Sequence, residues 1–568
     1  MPADGPRDNA APVLVWWHAI ALGLANGLLT FAAFVHPSLW PVCLVALLPA
    51  CLAADARKRV RIRAALCFSL GASVFWATSC SWIAAVSALG YLPMVAYLAL
   101  HHGAAVWLSN LIARRAHARL GVAPAFIILP VVWTAIEYLR GDVLWNGYPW
   151  YLVGVPMVRT SPWFWTPAVA GVYAASLWVG MVSGVAADFI LRRAKFASAG
   201  LGVLVVSAGA MLVAAPGRTE GSQTIRIAAV QTNVPVSNKL AWSAEDRERN
   251  FLEMIDMSRE AARSDPDLIV WPETMYPGYY LDLILEDGEL QAVNDYRPYL
   301  LARQDEIDVP MLIGAIGADG LRIVERDGKR EIDHDAIYNS AFLVEGGKVG
   351  KRYDKIHLTP FGEVMPYISA WPWLEKQMLA FGASGMSFDL NAGTRATVFE
   401  VGEPPVRVAT PICFEATMFG VCRSLVFNGG ERRVDVLVNL TNDGWFGKSD
   451  LGRHAHALHA RWRAAELGTP LVRAANTGVS VAYDSRGRRV APLPGSDACS
   501  ARESGVAVFD IALGIGRPPG PFASGLPGLL CSLAALGGLI AFSVRFPGRG
   551  SSAVAASPDQ TSQPNANR

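Results

Sequence analysis

Hydrophobic positions along this chain fall into two regimes. Up to about residue 215 they form near-continuous runs broken by short turns; beyond it they come in short clusters separated by charged stretches. Runs near the roughly 20 residues that span a bilayer cover residues 13–33, 39–53, 64–89, 92–112, 122–138, 167–191, 201–215 and 525–544. They predict eight membrane helices, the second of them short. From Thr224 the pattern turns β-rich, with strands expected at 225–230, 268–271, 311–315, 341–344, 406–412, 434–440 and 471–482. Residues 243–263 read as a helix with Phe251, Met254, Ile255 and Met257 on one side, and Glu345-Gly-Gly-Lys348 as a hairpin turn. Strands alternating with helices indicate an α/β layered sandwich behind a multi-pass α-helical membrane domain.

Charge sharpens this division. Only 20 of the 98 Asp, Glu, Lys and Arg residues lie in the first 215 positions. The expected organisation is a membrane domain over 1–215, an outer domain over 216–522, a last membrane helix over 523–546 and a disordered tail over 547–568. Basic residues set the orientation: Arg57, Lys58, Arg59, Arg61 and Arg63, then Arg114, Arg115 and Arg119, then Arg192, Arg193 and Lys195 follow the second, fourth and sixth spans. Loops rich in Lys and Arg stay cytoplasmic, so the 216–522 domain is expected on the outer face. The first span lacks a basic leader and reads as an uncleaved anchor. A formal net charge of +2 gives no reason to expect a nucleic acid partner. Of eight cysteines, five sit in apolar runs, leaving Cys413, Cys422 and Cys499 for chemistry or for pairing.

Three segments place reactive side chains at strand ends, where sites in α/β folds are usually built. Leu268-Ile-Val-Trp-Pro-Glu-Thr274 presents Glu273; Tyr353-Asp-Lys-Ile-His-Leu-Thr-Pro-Phe-Gly-Glu363 offers Lys355 and Glu363; Ala409-Thr-Pro-Ile-Cys-Phe-Glu415 ends in Cys413 and Glu415. Each residue alone has an ordinary explanation as a packed thiol or a surface ion pair. Together they supply a nucleophile, a base to form the thiolate and a cation for a developing oxyanion. No metal is required, and His454, His456 and His459 lack the spacing of a metal site. In the membrane domain, Glu137, Arg140 and Trp150 lie in an aromatic outer loop that reads either as an interfacial belt or as part of a site.

In this order and setting the three segments resemble the Glu-Lys-Cys triad of the nitrilase, or carbon-nitrogen hydrolase, superfamily. With the flanking spans, the loop from Glu137 to Trp150, Asn442-Asp-Gly-Trp-Phe-Gly447, Arg463-Ala-Ala-Glu466 and Arg473-Ala-Ala-Asn-Thr-Gly478, nearly the whole chain is similar to the apolipoprotein N-acyltransferase family. Three positions depart from that family's pattern: Phe414 replaces a usual tyrosine, Tyr148 a phenylalanine and Thr359 a valine.

The resemblance implies a nitrilase-like αββα sandwich on the periplasmic face of a bacterial inner membrane. It implies Glu273 as base, Lys355 as oxyanion holder and Cys413 as nucleophile, with Glu363 and Glu415 in support. A phospholipid would donate an acyl chain through a Cys413 thioester to the α-amine of a diacylglyceryl apolipoprotein. No cofactor is implied, and the expected state is a monomer. Trp242, Tyr276, Trp445 and Phe446, with the stretch from Trp371 to Leu374 and Met378, Leu379 and Phe381, are expected to contact substrate or form a lid, ordinary packing being the other reading. Two alternatives stay open: a membrane-tethered amidase or hydrolase of the same superfamily, and a non-catalytic lipid-binding scaffold.

Overall fold

The structure, a computed structural model, describes residues 11–159, 166–214, 223–234, 243–278, 280–282, 296–326, 329–364, 373, 390–496, 500–513 and 525–541. Trp242, Trp371, Leu374, Met378, Leu379, Phe381, Cys499 and the 547–568 tail lie outside the described residues.

Five described helices are long and apolar enough to cross a membrane: Trp16–Val35, Ile62–Ser79, Gly90–Leu120, Gly171–Ile190 and Ala194–Met211. Ala125–Tyr138 and Gly525–Ala541 are shorter apolar helices. The second expected span is instead a broken run, a 3-10 turn Pro37–Val42 followed by helices Cys43–Ala46 and Leu48–Ala53. Pro41 and Pro49, which lack an amide hydrogen, sit at the breaks. The fourth helix also differs from expectation: it runs unbroken from Ala88 to Leu120, so Arg114, Arg115 and Arg119 lie on it rather than in a loop. Arginine and alanine favour helix continuation, and Gly121, at φ +69°, ends it in the left-handed conformation. Glycines let the first two long helices touch: a β-carbon on Gly23 would stand 2.1 Å from Phe68 O, and one on Gly71 2.2 Å from Ile20 O. Such small-residue contacts are how helices associate where no hydrophobic effect drives them.

The basic turns gather at one end of this bundle. Arg193 pairs with Asp55 and, at 3.5 Å, with Asp188, while Asn110 Nδ2 donates to the carbonyls of Asp55 and Lys58, both at 3.0 Å. The other end carries the second domain. There Trp462 Nε1 donates to Val155 O, and Val172 N to Glu466 Oε1, each at 2.9 Å.

The second domain contains strands β1 (Thr224–Gln231), β2 (Leu268–Val270), β3 (Met311–Asp319), β4 (Arg322–Arg326), β5 (Lys329–Asp333), β6 (Ala336–Glu345), β7 (Lys348–Asp354) and β8 (Phe399–Val401). It continues with β9 (Val406–Ala409), β10 (Phe427–Asn428), β11 (Glu431–Arg432), β12 (Val436–Thr441), β13 (Leu471–Ala475), β14 (Val481–Tyr483), β15 (Arg489–Val490) and β16 (Gly505–Ala512). Among the described residues these form two six-stranded sheets, in the orders β16-β1-β2-β3-β6-β7 and β15-β14-β13-β12-β9-β8, and the two-stranded pairs β4-β5 and β10-β11. The centres of the six-stranded sheets are parallel, β1 with β2 and β3 in one sheet and β9 with β12 and β13 in the other.

The period of two along β1 explains the layering. Ile225, Ile227 and Ala229 pack with Val436, Val438 and Leu440 between the sheets, while Ala228 and Val230 face Phe251, Met254 and Ile255 of helix Ala244–Ala262. β12 and β13 are buried along their whole length, as strands covered on both faces are, with Asn439, Thr441 and Arg473 interrupting their apolar runs. Two expected strands are shorter in the structure. Thr410 and Pro411 interrupt the expected 406–412 strand, leaving only a bridge from Ile412 to Leu440. The expected 471–482 strand folds back on itself as β13 and β14, because Asn476 and Ser480 turn inward to bond Val234 and Gln231.

Candidate active site

Strand ends of both sheets converge on one point. Glu273 follows β2 and Lys355 follows β7 in the first sheet; Cys413 follows β9 and Asn442 follows β12 in the second. Lys355 Nζ lies 2.7 Å from Glu363 Oε2, 3.6 Å from Glu273 Oε1 and 3.3 Å from Thr359 Oγ1. The hydroxyl that sets Thr359 apart from valine therefore accepts a hydrogen bond from the lysine. Glu273 accepts from Asn339 Nδ2 and from the Asn442 amide, both at 2.8 Å. Asn339 Nδ2 also reaches Glu363 Oε1 at 3.0 Å, so one amide group spaces the two carboxylates.

Electrostatics here follow from burial and pairing. Burial alone would depress the Lys355 ammonium, but Glu363, Glu273 and the Cys413 sulfur raise it above the usual lysine range. Glu363 is lowered, the Lys355 charge and its hydrogen bonds outweighing burial. The Cys413 thiol is pushed up, first by burial and then by Glu273, with Lys355 opposing. A raised thiol rests protonated, and a thiol in that state becomes a nucleophile only with a base beside it. Glu273, whose charge acts on this thiol, is held by two donors.

Cys413 sits at φ +51° and Thr274, next to Glu273, at +49°. Left-handed backbone costs an L-residue roughly 1–2 kcal/mol, and such strain clusters where a side chain must be aimed. Glu415, fully buried, ties this turn to the lysine segment. It accepts from Ile412 N at 2.7 Å, Ile356 N at 2.7 Å, His357 N at 2.9 Å and Tyr353 Oη at 3.0 Å. Burial nonetheless pushes its carboxyl from 4.5 up to about 7, against those donors. A carboxyl whose pKa is higher folded than unfolded contributes stability that is full below the unfolded value and lost as pH rises through the folded one. The melting temperature should therefore carry a component that falls between about pH 4.5 and 7 and is absent from Glu415→Gln. Parallel melting curves for the two proteins across that range would contradict it.

The membrane domain closes the site from below. His357 Nε2 lies 3.0 Å from Asn146 O, and the rings of Trp145 and Phe361 are 5.8 Å apart. Glu137 and Arg140 are buried, which corrects their reading as an interfacial belt. Glu137 Oε1 accepts from Trp133 Nε1 at 3.1 Å and Val153 N at 2.8 Å; Arg140 donates to Tyr148 O at 2.7 Å and Trp150 O at 3.0 Å. Burying a charge is costly unless it is paired or hydrogen-bonded, and Glu137 Oε1 and Arg140 are so held. Other expected contact residues separate. Tyr276 is buried beside Phe251, and Phe446 packs between Trp82 and Trp150. Trp445 is 37% exposed and Trp373 73%. Cys422 is a buried free thiol donating to Glu415 O. His454 is exposed while His456 and His459 are buried, and no group of metal-ligating side chains occurs among the described residues.

Residues 226–514 match the carbon-nitrogen hydrolase family, and residues 26–185 match the apolipoprotein N-acyltransferase N-terminal domain. The apolipoprotein N-acyltransferase of Methylococcus capsulatus is 32% identical over 406 residues, covering 70% of this chain and 71% of that one. This chain belongs to the apolipoprotein N-acyltransferase family. The family member of Geobacter metallireducens is 29% identical over 83% of this chain and 87% of its own. Among solved structures, an amidase from Nesterenkonia aligns at TM-score 0.33 and 17% identity, covering 53% of this chain and 93% of that one. The family places the second domain in the nitrilase fold and makes the protein an acyltransferase.

Membership makes close backbone approaches at the site testable. A β-carbon on Gly314 of β3 would stand 2.2 Å from Pro272 O and 2.8 Å from Glu273 Cα. Gly314→Ala must therefore displace the segment carrying Glu273. A shift on the order of 1 Å costs about 100-fold in rate, so transferase activity of the folded variant is expected to fall by about that factor. Activity within threefold of wild type would show that Glu273 is not held from this side.

Proposed function

We propose that the protein transfers a fatty acyl chain from a membrane phospholipid, through a thioester on Cys413, to the N-terminal α-amine of a diacylglyceryl apolipoprotein, on the periplasmic face of a bacterial inner membrane. The observation that carries this reading is that Glu273 and Lys355, 3.6 Å apart, and Cys413 follow strand ends of the two sheets, with the Cys413 thiol under the charge of both. Glu273 takes the thiol proton as sulfur attacks the ester carbonyl. Lys355 faces the oxyanion, where a fixed cation stabilises charge as it develops. Collapse breaks the carbon–oxygen ester bond, and Glu273 returns the proton to the departing lysophospholipid.

The acceptor amine then attacks the thioester, Glu273 accepts its proton, and collapse expels the Cys413 thiolate, which is reprotonated as the amide remains. Two substrates using one nucleophile in turn give ping-pong kinetics. Glu363 keeps Lys355 charged and aimed, and Glu415 braces the nucleophile turn against the lysine segment. The orientation is supported by the basic turns gathering at the end of the bundle opposite this site, as expected for loops kept inside.

Detergent-purified protein supplied with phospholipid and a diacylglyceryl lipopeptide should yield lipopeptide heavier by one acyl chain, with the amide on its α-amine. Initial rates against both substrates should give parallel double-reciprocal lines. Release of free fatty acid with no change in the lipopeptide would instead support the hydrolase reading.

A further inference from the structure

Behind the nucleophile turn lies a second set of buried polar groups that the reaction above does not use. Asp443 Oδ1 accepts from Thr441 Oγ1 at 3.2 Å and lies 2.9 Å from His456 Nδ1; its Oδ2 pairs with Arg473 at 2.5 Å. Arg473 also donates to Asn439 Oδ1 at 2.9 Å. On the other side of the imidazole, His456 Nε2 is 3.2 Å from the carbonyl oxygen of Cys413. The ring is 2% exposed and is packed by Trp150 and Phe446, with centroids at 5.4 and 6.0 Å. Arg140 fastens the Trp150 backbone, so this packing is supported from within the membrane domain.

The hydrogen positions follow from what each nitrogen faces. A carbonyl oxygen only accepts, so the Nε2 contact requires a hydrogen on Nε2. Nδ1 lies between an acceptor, Asp443 Oδ1, and a donor, Arg473, at 3.2 Å. The nearer contact, to Asp443, is met by a hydrogen on Nδ1 and the Arg473 contact by a bare nitrogen; the Nε2 hydrogen is common to both. Burial and the Arg473 charge depress the imidazole, and Asp443 and the Cys413 carbonyl oppose them.

We infer that His456 is a positioning residue for the acyl transfer: its Nε2 hydrogen holds the Cys413 carbonyl and thereby keeps the nucleophile in the left-handed turn that aims sulfur at Glu273 and Lys355. A residue at φ +51° relaxes unless contacts around it over-determine the conformation. The Cys413 carbonyl is the group that would swing in that relaxation. The imidazole thus acts through the backbone and touches neither substrate.

The inference rests on the acyl-enzyme reading, and two isosteric replacements test it separately. The amide nitrogen of glutamine can occupy the place of Nε2, and that of asparagine the place of Nδ1. His456→Gln should keep single-turnover acylation of Cys413 within about fivefold of wild type, whereas His456→Asn should lose about 30-fold or more through misaimed sulfur. The loss should fall on kcat with KM for phospholipid unchanged, and at similar melting temperatures. Equal rates for the two variants, or a loss carried by KM, would overturn the inference. So would a glutamine variant that keeps the wild-type melting temperature and acylates as slowly as the asparagine variant. If the wild-type protein itself acquires no acyl group on Cys413, the acyl-enzyme reading fails first, and the two failures are distinguishable.

Discussion

Lys355→Met is expected to lower the rate of acyl-enzyme formation by about 10³-fold or more. Methionine has nearly the length and volume of lysine, so the loss reports charge rather than packing. Lys355 is fully buried and is the cation nearest two carboxylates, Glu363 at 2.7 Å and Glu273 at 3.6 Å. Removing it leaves Asn339 alone between them, and two neighbouring carboxylates without a cation cannot both remain ionised. A proton held there blocks Glu273 from taking one from sulfur, so the base is lost together with the oxyanion partner. Breaking a buried ion pair on one side also costs about 3–5 kcal/mol of stability. Lys355→Met/Glu363→Gln should therefore regain much of the melting temperature lost by the single variant and none of the acylation rate. Stability and rate returning together would mean that Lys355 only holds the fold.

Glu273→Gln should slow acylation by about 10²- to 10⁴-fold, the range spanned by loss of a positioned general base. The change is nearly isosteric, but both oxygens of Glu273 accept hydrogen bonds, from Asn339 and from the Asn442 amide. The new amide must turn its hydrogens toward one of those donors, which adds a small loosening to the loss of the base. The pH profile separates the two effects. Because burial and Glu273 raise the Cys413 thiol, an enzyme without the base should gain rate with rising pH as solvent removes the proton. In the wild type the carboxylate performs that step, and the profile should flatten at neutral pH. A Glu273→Gln enzyme with the wild-type profile would show that the proton leaves by another route.

How far the sequence carried depends on whether a feature is local. Membrane runs are local and were legible, except where the prolines at 41 and 49 break a run too short to span and where Arg114, Arg115 and Arg119 continue a helix past its apolar part. The doubly buried strands were visible as apolar runs, but the turn at Asn476–Ser480 was not, since the partners that pull it inward, Val234 and Gln231, lie more than 200 positions away. At the site, side chains that follow strands declared themselves. Asn339 did not: it lies within β6, and only the fold places it between Glu273 and Glu363. His456 was visible as one of three histidines and was read only for metal binding. Its partners, the Asp443 carboxylate and the Cys413 carbonyl, are fixed by the packing of helix Asp450–Leu467 against the second sheet. Tyr276 and Phe446 read as contact surface because they are aromatic residues beside a site; that Tyr276 packs in the core and Phe446 against Trp82 is set by partners far away in the chain.

The most direct measurement is the intact mass of the purified protein after incubation with phospholipid alone, wild type beside Cys413→Ala. The wild type is expected to gain the mass of one acyl chain, labile to hydroxylamine as a thioester is, and to lose it when diacylglyceryl lipopeptide is added. The alanine variant should gain nothing. An adduct of equal yield on Cys413→Ala, or lipopeptide acylated at the wild-type rate by that variant, would contradict a thioester on Cys413.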